Sequence, residues 1–139
     1  MAWAIVYYDP VDWSTSALAF LDACLVKVEA NLLAILDAVA AAPPPAFSGG
    51  GKWEAMHGSM GGYYEVRATG PNREQFRLFC ILDNAEESEL TQRVLPGPAV
   101  AVITGMRKPW KTAFTEVDYS RVRDMGSAYR ASLPRRIVV

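Results

Sequence analysis

The chain is poor in the residues that mark the best-defined chemistries. It has one histidine and two cysteines in 139 residues. Cys24 and Cys80 sit in apolar patterns without metal-pair spacing. They read as buried thiols of a reducing compartment, not as a disulfide framework. One histidine and two distant cysteines do not make a zinc site. No apolar run is long enough to cross a membrane, because the longest is broken by Asp22, Lys27, Glu29, Asn31 and Asp37. The cationic, apolar, small-residue start of a signal peptide is missing, so the chain reads as cytoplasmic. There is no internal repeat, and the formal net charge is only -1. That balance excludes a protein that coats nucleic acid by bulk charge.

The charge that is present is unevenly placed. Up to Tyr64 the only cations are Lys27 and Lys52, among Asp9, Asp12, Asp22, Glu29, Asp37 and Glu54. From Gly105 onward Arg107, Lys108, Lys111, Arg121, Arg123, Arg130, Arg135 and Arg136 face only Glu116, Asp118 and Asp124. An acidic front and a basic rear predict a local anion site on a neutral body.

Length and hydrophobic content fit one domain, residues 1–139, with a real core. Trp3 to Tyr8 predicts a first strand, closed by Asp9-Pro10. Leu18, Leu21, Leu25, Val28, Leu32, Ile35 and Val39 then recur at helical steps. They read as one largely continuous helix, or as two helices meeting near Cys24–Lys27. Pro43-Pro44-Pro45 stops the helix, and Ser48-Gly49-Gly50-Gly51 is a flexible joint. Lys52–Met56 is a short strand and 57–62 a glycine-rich loop. Strands follow at Tyr63–Ala68, Gln75–Leu82 and Ala99–Thr104, the last apolar on both faces and therefore central. Asp83 to Pro98 reads as an acidic surface loop. Gly105–Lys111 reads as a basic turn, and a helix from Thr115 or Glu116 to about Ser132 carries Val117, Val122, Met125 and Tyr129 inward. Arg135–Val139 is a tail.

Strand alternation places Phe76, Leu78, Cys80 and Leu82 on one face and Arg77, Phe79 and Ile81 on the other. The wholly apolar face is the one to bury, which sends Arg77 outward. Arg67 shares a face with Glu65 and Tyr63. If the two strands pair as a hairpin, Arg67 and Arg77 lie on one open face beside Arg107, Lys108 and Lys111, a surface suited to phosphate contact and base stacking. The plainer reading is cross-strand ion pairing with Glu65, Glu54 or Asp83. His57 is the one acid–base candidate near neutral pH. Ser59 has no triad partners, and Glu86, Glu87 and Glu89 look like a solvated loop.

Gly51-Lys52-Trp53-Glu54, Tyr64-Glu65-Val66-Arg67, Phe76-Arg77-Leu78-Phe79 and Ile103–Pro109, followed by the Asp118–Tyr129 helix, resemble the RelE/ParE toxin superfamily. The HigB-like, phage-derived toxins of bacterial type II toxin–antitoxin modules are the branch they resemble most. The resemblance implies an α+β fold: a small antiparallel sheet packed by a long N-terminal helix or helical hairpin and a C-terminal helix. It implies ribosome-dependent cleavage of messenger RNA through attack of the ribose 2′-hydroxyl, with no metal or other cofactor. Its partners would be the ribosome, mRNA and a small, helix-turn-helix antitoxin. Arg77 matches the family's phosphate-binding arginine. Arg67 and His57 join it as catalytic candidates, and Arg107, Lys108, Lys111, Arg67 and Tyr63 as RNA-binding candidates. The family's tyrosine after the basic turn is replaced by Phe114, leaving His57, Tyr63 or Tyr119 for its role. The ParE-like branch poisons DNA gyrase instead, so the alternative is a non-catalytic interaction protein of the same fold, gyrase-directed or an inactive phage-derived remnant.

Overall fold

The computed structural model describes residues 2–42, 51–84, 95 and 97–139. The triple proline, most of the glycine joint and most of the acidic 83–98 segment, Glu86, Glu87 and Glu89 included, lie outside the described residues.

Strand β1 is Ala4–Tyr8. A tight turn follows at Trp13–Thr15, where the Asp12 carboxylate accepts from the Ser14 N–H at 3.0 Å. Ser16 then caps helix α1, Ala17–Ala23, by accepting from the Ala19 N–H at 3.0 Å. Helix α2 is Val26–Ala41. Of the two readings, the largely continuous helix gives way to two helices meeting near Cys24–Lys27, broken where Cys24 and Leu25 adopt extended backbone. The cause is tertiary. Helix α1 lies over the strand at 99–108, and α2 lies over β1 and the strand at 63–69, so one straight axis cannot serve both. Leu25, which fits the helical stripe, is turned out and 58% exposed. Leu36 replaces Ile35 as the fully buried side chain of its turn.

Strands β2, Trp53–Ala55; β3, Tyr63–Thr69; β4, Gln75–Asp83; and β5, Ala99–Lys108 follow. Helix α3 is Glu116–Ala131, and the expected tail contains a last short strand, β6, Ile137–Val138. The described strands form one sheet in the order β2-β3-β4-β5-β1-β6. Neighbours are antiparallel except β1 and β5, which run parallel. The class is α+β, and β5 is an interior strand, as its apolar character predicts.

Both sheet faces are covered. On one, Leu21, Val28, Leu32, Leu36 and Val39 of α1 and α2 meet Val66, Phe76, Leu78, Cys80, Val100 and Val102. Gly105 lets α1 come close, since the Phe20 ring occupies the space a Cβ there would need. On the other face α3 lays Tyr129 among Ile81, Ala101 and Ile103, and Val122 against Phe79. The face bearing Arg77, Phe79 and Ile81 is thus not open along its length. Phe79 and Ile81 are core residues, and only the end carrying Glu65, Arg67 and Arg77 is left beside the start of α3. Val117, expected inside, is 72% exposed, and Gly126 takes the inward position on the helix. No helix among the described residues is long and apolar enough to cross a membrane.

Candidate functional site: an arginine pair beside the last helix

The β3–β4 register sets Arg67 directly opposite Arg77. Like charges at such positions repel, and the sheet answers this with Glu65. That side chain is almost fully buried on the same face. Arg67 donates through Nε to Glu65 Oε1 at 2.7 Å and approaches the same oxygen through Nη2 at 2.5 Å. Glu54 lies 3.2 Å from Arg67 on its solvent side. Arg77 is the more enclosed of the two. Its Nε is 3.9 Å from Glu65 Oε2, its Nη2 donates to Gln75 Oε1 at 2.7 Å, and its Nη1 donates to the Phe76 carbonyl at 3.0 Å. Burial lowers the Arg77 pKa from the ordinary arginine value; Glu65 opposes the shift and Arg67 adds to it. The expected cross-strand ion pairing is therefore present with Glu65 and Glu54, though not with Asp83.

A cleft of about 610 Å³ lined by Asn31, Lys52, Arg67 and Arg77 reaches the pair from the α2 side, and two more lie on the α3 side. One, of about 390 Å³, is lined by Glu65, Arg67, Gln75, Arg77, Lys111 and Tyr119, with Phe114 at its side. The other, of about 470 Å³, shares Glu65, Arg67 and Tyr119 and is completed by His57, Ser59 and Glu116. His57 is exposed at its rim. The His57 loop is held to α3, because Arg123 donates to Ser59 Oγ at 3.2 Å and pairs with Glu116. Phe114 and Tyr119 pack edge-on against Phe79, and the Arg77 guanidinium lies 5.9 Å from the Phe114 ring. Burial raises the Tyr119 pKa, Glu65 adds to this, and the two arginines counter it. Tyr119 lines both clefts on the α3 side.

The remaining candidates divide. Arg107 and Lys108 are not in a turn, because β5 runs through them. Successive strand residues point oppositely. Arg107 lies over the Phe76 ring on the α1 side, bound to Glu74 through Nε at 2.6 Å and Nη2 at 2.8 Å. Lys108 lies on the α3 side, 3.2 Å from Asp118. Lys111 alone of the three lines the Arg77 cleft. Tyr63 is not a free stacking surface, since its hydroxyl end occupies the space beside Gly126 under α3, and burial raises its pKa.

Sequence reading named Glu65 as a candidate ion-pair partner, and the structure makes it the carboxylate that both arginines share. Its place two residues before Arg67, on the same strand face, was the available signal. Gln75 carries the same signal, two residues before Arg77 on one strand face, whereas Arg123 gave none, since Ser59 is remote in sequence. No protein-family model, curated protein or solved structure matches the chain.

Proposed function

We propose that the chain is a toxin of RelE-like fold from a bacterial type II toxin–antitoxin pair, and that it cleaves messenger RNA on the ribosome. The observation that carries this reading is the direct opposition of Arg67 and Arg77 on one sheet face, aligned by Glu65 and open to a cleft. Two guanidinium groups forced together share one buried carboxylate, and Glu54 reaches only Arg67, from the solvent side. A phosphodiester offers them the missing anion in a partly desolvated site. In this reading Arg77 and Arg67 hold the scissile phosphate and stabilise the charge that grows as the 2′-hydroxyl attacks. Glu65 and Gln75 fix their directions and Lys111 holds a neighbouring phosphate; as P–O2′ forms and P–O5′ breaks, the 2′-hydroxyl proton passes to solvent and His57 gives a proton to the leaving 5′-oxygen from the adjoining cleft. A small antitoxin neutralises the toxin by covering the same clefts.

Induced expression in a bacterial host, with the transcript ends mapped, tests the proposal. The expected result is growth arrest with messages cut inside translated reading frames. Arrest with intact messages and inhibited gyrase supports the gyrase-directed alternative, and unchecked growth overturns both.

A further inference from the structure

We propose that Trp110 is a stacking platform for an unpaired nucleobase at the rim of the Arg77 cleft, with Arg73 and Lys111 taking the flanking phosphates. The inference rests on the RNA-cleaving reading and adds a base-binding position to it.

Trp110 is 49% exposed, so the core makes little use of its ring. Two cations lie over that ring. The Arg73 guanidinium is 4.5 Å from its centroid and the Lys111 ammonium 4.6 Å. They come from separate turns, the one joining β3 to β4 and the one after β5. Both turns hold non-glycine residues in left-handed backbone: Asn72 at φ 58°, Arg73 at φ 59° and Lys111 at φ 64°. These are the positive-φ residues other than glycine among the described residues, and all three meet at this one corner. Such conformations cost energy, and proteins concentrate them where a surface does work.

The corner is also tied to the arginine pair. Gln75 Nε2 donates to the Thr112 carbonyl of the Trp110 turn at 3.5 Å, while Gln75 Oε1 accepts from Arg77 at 2.7 Å. Lys111 itself lines the Arg77 cleft. The carboxylate between the two turns, Glu74, is taken by Arg107 from the other face. An aromatic ring between two cations, next to a site for a phosphodiester, has the alternation of a base and its two phosphates. An exposed lysine leaves the ring for a phosphate as the base arrives. Bases stack on such rings with little regard to their identity, so the platform anchors a neighbouring nucleotide without selecting its sequence.

The test measures binding of the whole chain to a short single-stranded RNA and to the same RNA with one interior base removed and all phosphates kept. Trp110→Ala is expected to weaken the intact RNA by roughly 5- to 100-fold and to leave the abasic RNA unchanged. Trp110→Phe is expected to keep most of the affinity. Arg77→Ala is expected to weaken both RNAs alike. Three results overturn the platform: equal affinity of Trp110→Ala and native protein for intact RNA, equal losses for both RNAs, or no RNA binding by the native chain. A loss of antitoxin binding with RNA binding untouched also overturns it, in favour of a protein-docking surface. Each of these leaves cleavage on programmed ribosomes to judge the nuclease reading separately.

Discussion

Strand β4 carries an arginine–carboxylate cluster near each end of one face, and the two clusters are built to opposite purposes. At its C-terminal end Asp83 accepts from the Tyr129 hydroxyl at 2.8 Å and from Arg135 Nε at 3.1 Å. Arg135 is 5% exposed and also donates to the Arg130 carbonyl at 2.5 Å. Its guanidinium lies 5.2 Å from the Tyr129 ring. Burial and the Asp83 carboxylate both raise the Tyr129 pKa, so this phenol stays a donor. The cluster ties the end of β4 to α3 and to the segment that feeds β6 beside β1. At the N-terminal end two arginines share one buried carboxylate and open onto a cleft. A carboxylate and a guanidinium sealed from water make a fastening. Three cations, Arg67, Arg77 and Lys111, set against buried Glu65 and exposed Glu54 at a solvent boundary leave room for an anion.

The sharpest way to break the comparison is at the sealed end. Arg135→Ala breaks the buried Arg135–Asp83 ion pair, and breaking a buried pair costs about 3–5 kcal/mol. Denaturant unfolding should show that drop. Arg77→Ala should lower stability by no more than about 1 kcal/mol, since it also removes the repulsion from Arg67. Equal destabilisation by the two substitutions would mean that both clusters are fastenings.

Activity should show the reverse ranking. Arg77→Ala removes charge-assisted contacts made as the phosphorane forms, worth about 2–4 kcal/mol or two to three decades in cleavage rate. Single-turnover cleavage on programmed ribosomes measures this. Full activity in a folded Arg77→Ala protein removes the arginine pair from the chemistry.

Much of this contrast was legible in the sequence and some was not. Alternation, together with an assumed hairpin pairing, put Arg67 and Arg77 on a shared face, and the β3–β4 register bears that out. It did not show that Phe79 and Ile81, on that face, lie under α3, since covering a sheet face is a long-range choice. The Leu18–Val39 stripe marked helix and located a possible junction near Cys24–Lys27, but could not decide between one helix and two, because packing on the sheet imposes the break. Arg107 and Lys108 looked like neighbours in a turn. The extension of β5 through them puts one on each side of the sheet. The sealed cluster joins Asp83, Tyr129 and Arg135, whose separation in sequence carries no local signal.

That division of the basic run gives a smaller effect. Lys111→Ala should reduce the slope of log RNA affinity against log salt by about 0.7, one phosphate contact on a single strand. Arg107→Ala should leave the slope unchanged, because its guanidinium faces α1 and already binds Glu74. Titrations at several salt concentrations decide this, and equal slopes for the two variants would restore a single basic surface.

The smallest effect concerns the start of α3, where the open end of the face meets the helix. Asp118 accepts from the Thr115 N–H at 2.8 Å, and the Lys108 ammonium lies 3.2 Å away. The Thr115 N–H, then Lys108, hold the Asp118 carboxyl below the ordinary carboxylate value, partial burial opposing them. A folded pKa below the unfolded one gives stability that is complete above the unfolded value, about 3.9. It is lost as pH falls through the lower, folded value. Acid unfolding curves of native and Asp118→Asn protein should therefore differ by less than about 1 kcal/mol near neutrality, as for a solvent-side cap and ion pair. They should converge as pH drops below the ordinary carboxylate range. High salt should shrink the Lys108 share of the difference, as it would not at the sealed Asp83 cluster. A difference that persists undiminished in acid would mean that Asp118 holds the helix by shape and not by charge, and the start of α3 would then belong with the fastenings.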